Sequence, residues 1–354
     1  MSREVLFIDL SVDYTLFEED AKKILKRIRP DWEDSKIKFK VFTDGITNKL
    51  LGCYLEDDES TMVLVRVNGE GTDIIINRAE EQDAFRVLSE ADCAPPVYCV
   101  FKNGMAYGFF PGVPLDEKTV REPKIQRLIA EELVRLHSVQ GSYALKFQGS
   151  PPSQYKERVL SWINAAPTGF DDPVKQQVFI NEIPSKIDLI KELDEIAETL
   201  DALNMNSVFS HNDLLLKNII FNEKEGSIRF IDYEYAFYNY EAFDIGNHFA
   251  EYAGMEEVNY DLYPSKEEQL PWLRHYLEVK ASKTGSGSAT VTDRDVQVLY
   301  VQTNKCACAA HFFWGVWALI QAEHSLINFN YVQYASIRLT EYFRRKKEFF
   351  PLLI

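Results

Sequence analysis

Two short apolar runs, Ile219-Ile220-Phe221 and Ile228 with Phe230-Ile231, lie close together in the chain, with polar residues just before the first and just after the second. Runs of this length read as strands rather than helices, and together they read as one hairpin. Asp213 and Asn218 then fall on the loop that enters the hairpin. Asp232, fourteen residues after Asn218, falls just beyond its end. Any fold this chain adopts has to accommodate that polar set beside buried strands.

The segments on either side differ in character. Ile37, Phe39 and Val41 alternate with lysines, the pattern of a half-buried strand. A polar stretch, Thr43 to Asn48, leads to a second strand through Leu50 to Leu55, and a third runs from Met62 to Val67. A helix is predicted over 78–90. Val97–Phe101 and Met105–Phe110 flank Asn103-Gly104, a hairpin signal. Pro111-Gly-Val-Pro114 reads as a hinge or linker. Beyond it the pattern is mainly helical: 125–136, 189–203, a long apolar helix over 296–327 and a basic amphipathic helix over 331–347, with 283–288 as a flexible loop. The expected class is α+β, with a β-rich lobe over 1–111 and a larger, mainly helical lobe over 112–354, and a cleft between them to hold a small molecule.

The bulk properties exclude several roles. A formal charge of −16 argues against nucleic acid and anionic membranes as main partners and mildly favours a cationic small substrate. The longest apolar stretch, Ala309 to Ile320, is too short to span a bilayer. Five cysteines without metal-ligand spacing point to reduced thiols and a cytoplasmic location.

The polar set around the hairpin fits phosphoryl transfer. One carboxylate must orient the attacking hydroxyl and take its proton, and two hard oxygen ligands must hold Mg²⁺ against the nucleotide phosphates. Asp213 fits the first role, and Asn218 and Asp232 the second. His211-Asn-Asp alone would also suit an ordinary turn with side-chain caps; the spacing to Asn218 and Asp232 argues for chemistry, with His211 as a structural residue. Arg66, in the apolar strand Val63–Val67, needs a partner if buried, and Glu81 on the following helix is the candidate. An ordinary surface pair on an edge strand is the alternative.

At these residues the sequence resembles the choline/ethanolamine kinase family. The likeness runs through His211-Asn-Asp-x₄-Asn218, Ile231-Asp232-Tyr233-Glu234-Tyr235, Tyr238-Asn239-Tyr240, Phe243 to Phe249 and His311 to Ala322, and covers the chain from about Phe42 to Phe343. The ethanolamine branch fits best, because Leu214-Leu215-Leu216-Lys217 precedes Asn218 where choline kinases usually carry Gly. Phe42 to Leu50 and Glu251-Tyr-Ala-Gly254 agree with that branch.

The resemblance implies a bilobal protein-kinase-like fold, with nucleotide binding in the first lobe. It implies ATP-dependent phosphorylation of ethanolamine to phosphoethanolamine, with Mg²⁺, as the first step of phosphatidylethanolamine synthesis. It places Asp44, Gly45, Thr47, Asn48, Arg66 and Glu81 on the nucleotide. Tyr235, Glu251, Trp314, Trp317, Phe329 and Tyr334 surround the amino alcohol, while Asp244, with Asn247 and His248, ties the catalytic loop. Ethanolamine is the expected partner, and a homodimer is the assembly to test. Choline kinase or dual specificity, and a nucleotide-binding scaffold without turnover, are the alternatives. A protein kinase is excluded by the lack of Asp-Phe-Gly and Ala-Pro-Glu. Gly108 stands where the family often has an acidic residue, which leaves the adenine contacts open.

Overall fold

The computed structural model describes residues 5–42, 48–56, 58–69, 75–255, 257–283, 290–325 and 327–354. The chain divides into two compact units, Met1–Gly112 and Val113–Ile354.

The first unit is a six-stranded sheet with two helices. Its elements in chain order are β1 (Leu6–Ile8), α1 (Phe17–Ile28), β2 (Ile37–Phe42), β3 (Asn48–Leu55), β4 (Asp58–Asn68), α2 (Arg78–Glu90), β5 (Val97–Phe101) and β6 (Gly104–Gly108). The strand order is β1-β5-β6-β4-β3-β2. All neighbours are antiparallel except β1 and β5. The anticipated strands and α2 are present. The short parallel strand β1 and helix α1 are additions. The sequence carried the cues for α1: Glu18, Glu19 and Asp20 in its first turn, Lys26 and Arg27 in its last, and Ala21, Ile24 and Leu25 at helical spacing. Those three pack with Leu51, Val63, Val65 and Phe101 in the unit's core. At the end of β6, Gly108 lies against Pro95 and Pro96: a Cβ there would be 3.0 Å from Pro96 Cδ.

The second unit corrects the expected linker. Val113–Pro114 is a strand, β7, at the edge of a three-stranded sheet, where its proline leaves no inner ladder unpaired. Helices α3 (Pro123–His137), α4 (Tyr155–Ala165), α5 (Pro173–Glu182) and α6 (Lys186–Asp201) follow. Then come β8 (Ser207–Ser210), β9 (Ile219–Asn222), β10 (Ser227–Phe230) and β11 (Phe237–Tyr240). The hairpin predicted over this segment is β9 with β10, in register Ile219↔Phe230, and β7 joins its outer side. β8 and β11 form a separate antiparallel ribbon. Helices α7 (Glu241–Ala250), α8 (Lys266–Lys283), α9 (Asp293–His324) and α10 (Tyr331–Phe349) complete the unit. Residues 284–289, most of the predicted flexible loop, lie outside the described residues.

The 32-residue helix α9 is the centre of this unit. It starts at a capping box between Thr292 and Asp295 and is buried continuously from Thr303 to Ala322. Helices α4, α6, α7, α8 and α10 pack against it. No helix among the described residues is long and apolar enough to cross a membrane. All five cysteines are buried, and none is in a disulfide.

Helices α7 and α9 approach closely at Gly246 of α7, where a Cβ would lie 2.6 Å from both Ala307 N and Thr303 O of α9. Only backbone obstructs it, and backbone cannot rotate away. G246A should therefore cost about 1–3 kcal/mol or more in urea unfolding. G315A should cost less, because the obstruction there is the Leu339 side chain, 2.8 Å away.

Candidate active site

The ribbon and the hairpin bring the predicted polar residues together. β8 delivers His211 to Asp213, and the antiparallel register of β9 with β10 sets Asn218 beside Ile231, whose N–H donates to the Asn218 carbonyl at 3.0 Å. Asp232 is the next residue. Asn212 and Asp232 both have φ of +65°, a left-handed conformation that Asn and Asp tolerate better than most residues.

Asn218 Nδ2 donates to the Asp213 carbonyl at 2.9 Å and to Asp213 Oδ2 at 3.2 Å. With the amide hydrogens so directed, Asn218 Oδ1 is the atom left to face a cation. Burial pushes the Asp213 carboxyl well above the ordinary carboxylate range, and the charges of Asp232, Glu251 and Glu234 push the same way. Such a site gains from receiving positive charge.

The loop is held from behind. Asp244 of α7 accepts from the backbone N–H of His211 at 2.8 Å and of Asn212 at 2.6 Å, one on each carboxylate oxygen. His211 Nδ1 accepts from the Asp213 N–H at 3.3 Å, so Nε2 donates to the Ile231 carbonyl at 2.9 Å. His211 thus joins the two polar loops and has no hydrogen left for chemistry. Asn212 reaches the Ser210, Tyr235 and Phe237 carbonyls and accepts from Asn239 at 2.8 Å. His248 Nδ1 lies 3.3 Å from the Leu214 carbonyl. Asn247 does not touch the loop: its Oδ1 accepts from Trp314 Nε1 at 2.8 Å.

The aromatic residues form one connected group. Trp317 Nε1 donates to the Tyr235 hydroxyl at 2.8 Å. The Tyr235 and Trp314 rings meet edge-on at 5.2 Å, as do Trp314 and Trp317 at 5.4 Å. Trp317 contacts Tyr331, Tyr331 contacts Phe329, and Phe329 contacts Tyr334. Burial and the charges of Glu234 and Asp213 raise the Tyr235 hydroxyl well above its usual value, so this ring system and the carboxylates act on one another.

Two arginines had not been anticipated. Arg338 is buried on α10, and its Nη1 donates to Glu251 Oε1 at 2.8 Å and reaches the Tyr334 hydroxyl at 3.4 Å. Its spacing of four residues from Tyr334 was the available signal. In the first unit, Arg66 pairs with Glu81 at 2.5 Å on the central strand β4, which removes the edge-strand alternative. Arg78, three residues before Glu81, adds a second contact at 2.9 Å. Burial alone would raise the Glu81 carboxyl; the two guanidinium groups outweigh it and hold it below its usual value. Asn48 opens β3, opposite Asn68. Asp44, Gly45 and Thr47 lie outside the described residues.

Residues 39–343 match the family model for choline/ethanolamine kinase. The chain belongs to the choline/ethanolamine kinase family. Human ethanolamine kinase 1 is 44% identical over 330 residues, covering 93% of this chain and 72% of that one. Human ethanolamine kinase 2 is 43% identical over 346 residues, covering 97% and 85%. Among solved structures, the Plasmodium vivax ethanolamine kinase superposes with a TM-score of 0.79 at 27% identity, over 93% of this chain and 89% of that one. The Cryptosporidium parvum choline kinase, at 23% identity, shares the fold with a TM-score of 0.75 over 93% and 95%. The family chain therefore has the protein-kinase-like α+β fold.

Burial lowers His248 to about 4, from an ordinary 6.5. Below about pH 6.5 the unfolded chain binds a proton there that the folded chain refuses, so stability present above that pH is lost as pH falls toward 4. Urea unfolding should show a loss of a few kcal/mol from this group between about pH 7 and pH 4. H248N should flatten that slope.

Proposed function

We propose that this protein transfers the γ-phosphoryl group of ATP to the hydroxyl of ethanolamine, giving phosphoethanolamine and ADP. The sequence relatives support the substrate, and the family implies ATP. The observation that carries the residue roles is the Asp213–Asn218 bond beside Asp232, across one hairpin register.

In this reading Asp213 accepts the hydroxyl proton and orients the oxygen for in-line attack. Mg²⁺ would be held by Asn218 Oδ1 and Asp232, two hard oxygen donors, and would neutralise charge on the phosphates. The loop geometry supports this fit, because Asn218 turns its nitrogen to Asp213 and its oxygen away. The substrate ammonium is proposed to lie among Tyr235, Trp314, Trp317, Phe329, Tyr334 and Glu251, where π faces and a carboxylate favour a cation. Arg66, held by Glu81, and Asn48 are the proposed nucleotide contacts among the described residues. Asp44, Gly45 and Thr47 complete that set by the family resemblance.

Ethanolamine carries three N–H groups, and choline none. A pocket that accepts those hydrogens discriminates against an analogue lacking them. Five buried cysteines outside any disulfide support a cytoplasmic location. Whether the active form is a homodimer is a question for sedimentation.

ADP release with ethanolamine, with choline and with neither alcohol tests the substrate directly. Ethanolamine should give the highest kcat/KM; equal or greater kcat/KM with choline would overturn the assignment. D213N should lower kcat by about 10²–10⁴ with nucleotide affinity retained. Near-normal turnover in that variant would remove Asp213 as the base.

A further inference from the structure

We propose that Glu241, Tyr276 and Lys280 are positioning residues for phosphoryl transfer, forming an arm that sets the catalytic loop through His137 and Asp244. Helix α8 supplies Tyr276 and Lys280, four residues apart on one face. Helix α7 supplies Glu241 and, three residues on, Asp244. His137 ends α3.

The hydrogen bonds along this arm form one unbroken line from Lys280 to Asp244. Lys280 Nζ donates to the two carboxylate oxygens of Glu241 at 2.5 and 2.6 Å. The Tyr276 hydroxyl donates to Glu241 Oε1 at 2.7 Å. The same hydroxyl lies 2.7 Å from His137 Nδ1. His137 Nε2 lies 3.0 Å from Asp244 Oδ2. His137 thus bridges the arm to Asp244 through its two ring nitrogens. The same Asp244 oxygen accepts the His211 N–H, and its neighbour accepts the Asn212 N–H. Asp213 is the next residue.

Each link depends on the one before it. Without the Lys280 charge, Glu241 holds the phenol hydrogen less strongly. Tyr276 is then less firmly held against Glu241, and its contact with His137 Nδ1 loosens. The Asp244 carboxylate loses a fixed partner, and the two amides it anchors lose their placement. The hydrogen bonds of the three arm residues given above run to one another and to His137, so the effect on Asp213 would be transmitted through Asp244.

The outer end of the arm opens on a cavity of about 890 Å³, lined by Val134, His137, Val208, Phe209, Lys280 and Lys283 among others. The Lys280 side chain is 35% exposed. A replacement there can be accommodated without disturbing packed core.

The test compares wild type with Y276F, K280M and K280R. It measures kcat and KM for both substrates, the Tm, and residue-resolved hydrogen exchange at the His211 and Asn212 amides. Y276F and K280M should lower kcat about tenfold to a hundredfold while KM for ATP and ethanolamine stays within about twofold. The two amides should exchange faster, and K280R should restore both turnover and protection. Wild-type kcat in K280M, or reduced turnover with both amides still protected, would overturn the proposal. Should Y276F prove poorly folded, K280M, altered at the solvent end, decides alone. The turnover readout rests on the ethanolamine-kinase reading. The amide exchange does not, so a failure of that reading would be visible separately, as wild type inactive on ethanolamine.

Discussion

Both oxygens of one fully buried carboxylate, Asp244, accept consecutive backbone N–H groups of the loop that carries Asp213. Consecutive amides point the same way only where the chain leaves the extended conformation, and Asn212 does so with its left-handed φ. A loop of polar backbone buried without partners would cost several kcal/mol. Here the loop's amides and the Asn212 side chain have partners within the fold, so it is rigid before any ligand arrives. The cost of ordering it falls on folding rather than on each turnover.

That rigidity is what allows like charges to be gathered. Asp232, Glu251 and Glu234 all act on the desolvated Asp213, which is unfavourable for the free protein. The chain offsets part of this itself. Arg338 takes the Glu251 carboxylate, and Asn218 donates to Asp213. The remainder is left for cations that arrive with the substrates. On the proposed reading, the aromatic group from Tyr235 to Tyr334 supplies the weaker, less directional attraction that an ammonium also accepts.

Much of this was legible in the chain. Period-two alternation gave the strands, Asn103-Gly104 marked the β5–β6 turn, and the spacing Asp-x₄-Asn with Asp232 beyond two apolar runs located the chemical loop. Other parts carried their cues unread: α1 has charge complementary to its dipole and three apolar residues on one face, yet it sits in a region dominated by strand signals. Pro111 to Pro114 looked like a break because proline is rare in strands. At a sheet edge that objection lapses, and β7 forms. Trp314 and Trp317 shared a face by spacing alone, but the choice between core and pocket depended on Tyr235, far away in sequence.

Local residue type determined which atoms were on hand: an acid to take a proton, an amide and an acid to hold a metal, rings and carboxylates to favour a cation. Those properties belong to side chains and to short-range periodicity, and so they survive without a fold. Partners were decided only by packing. Arg338 with Glu251, His137 with Asp244, and Tyr276 and Lys280 with Glu241 are separated by 35 to 107 residues. Nothing local selects one buried ion partner over another at such range. Close helix approach selects it, at places such as Gly246 against α9, where the missing side chain lets two backbones meet.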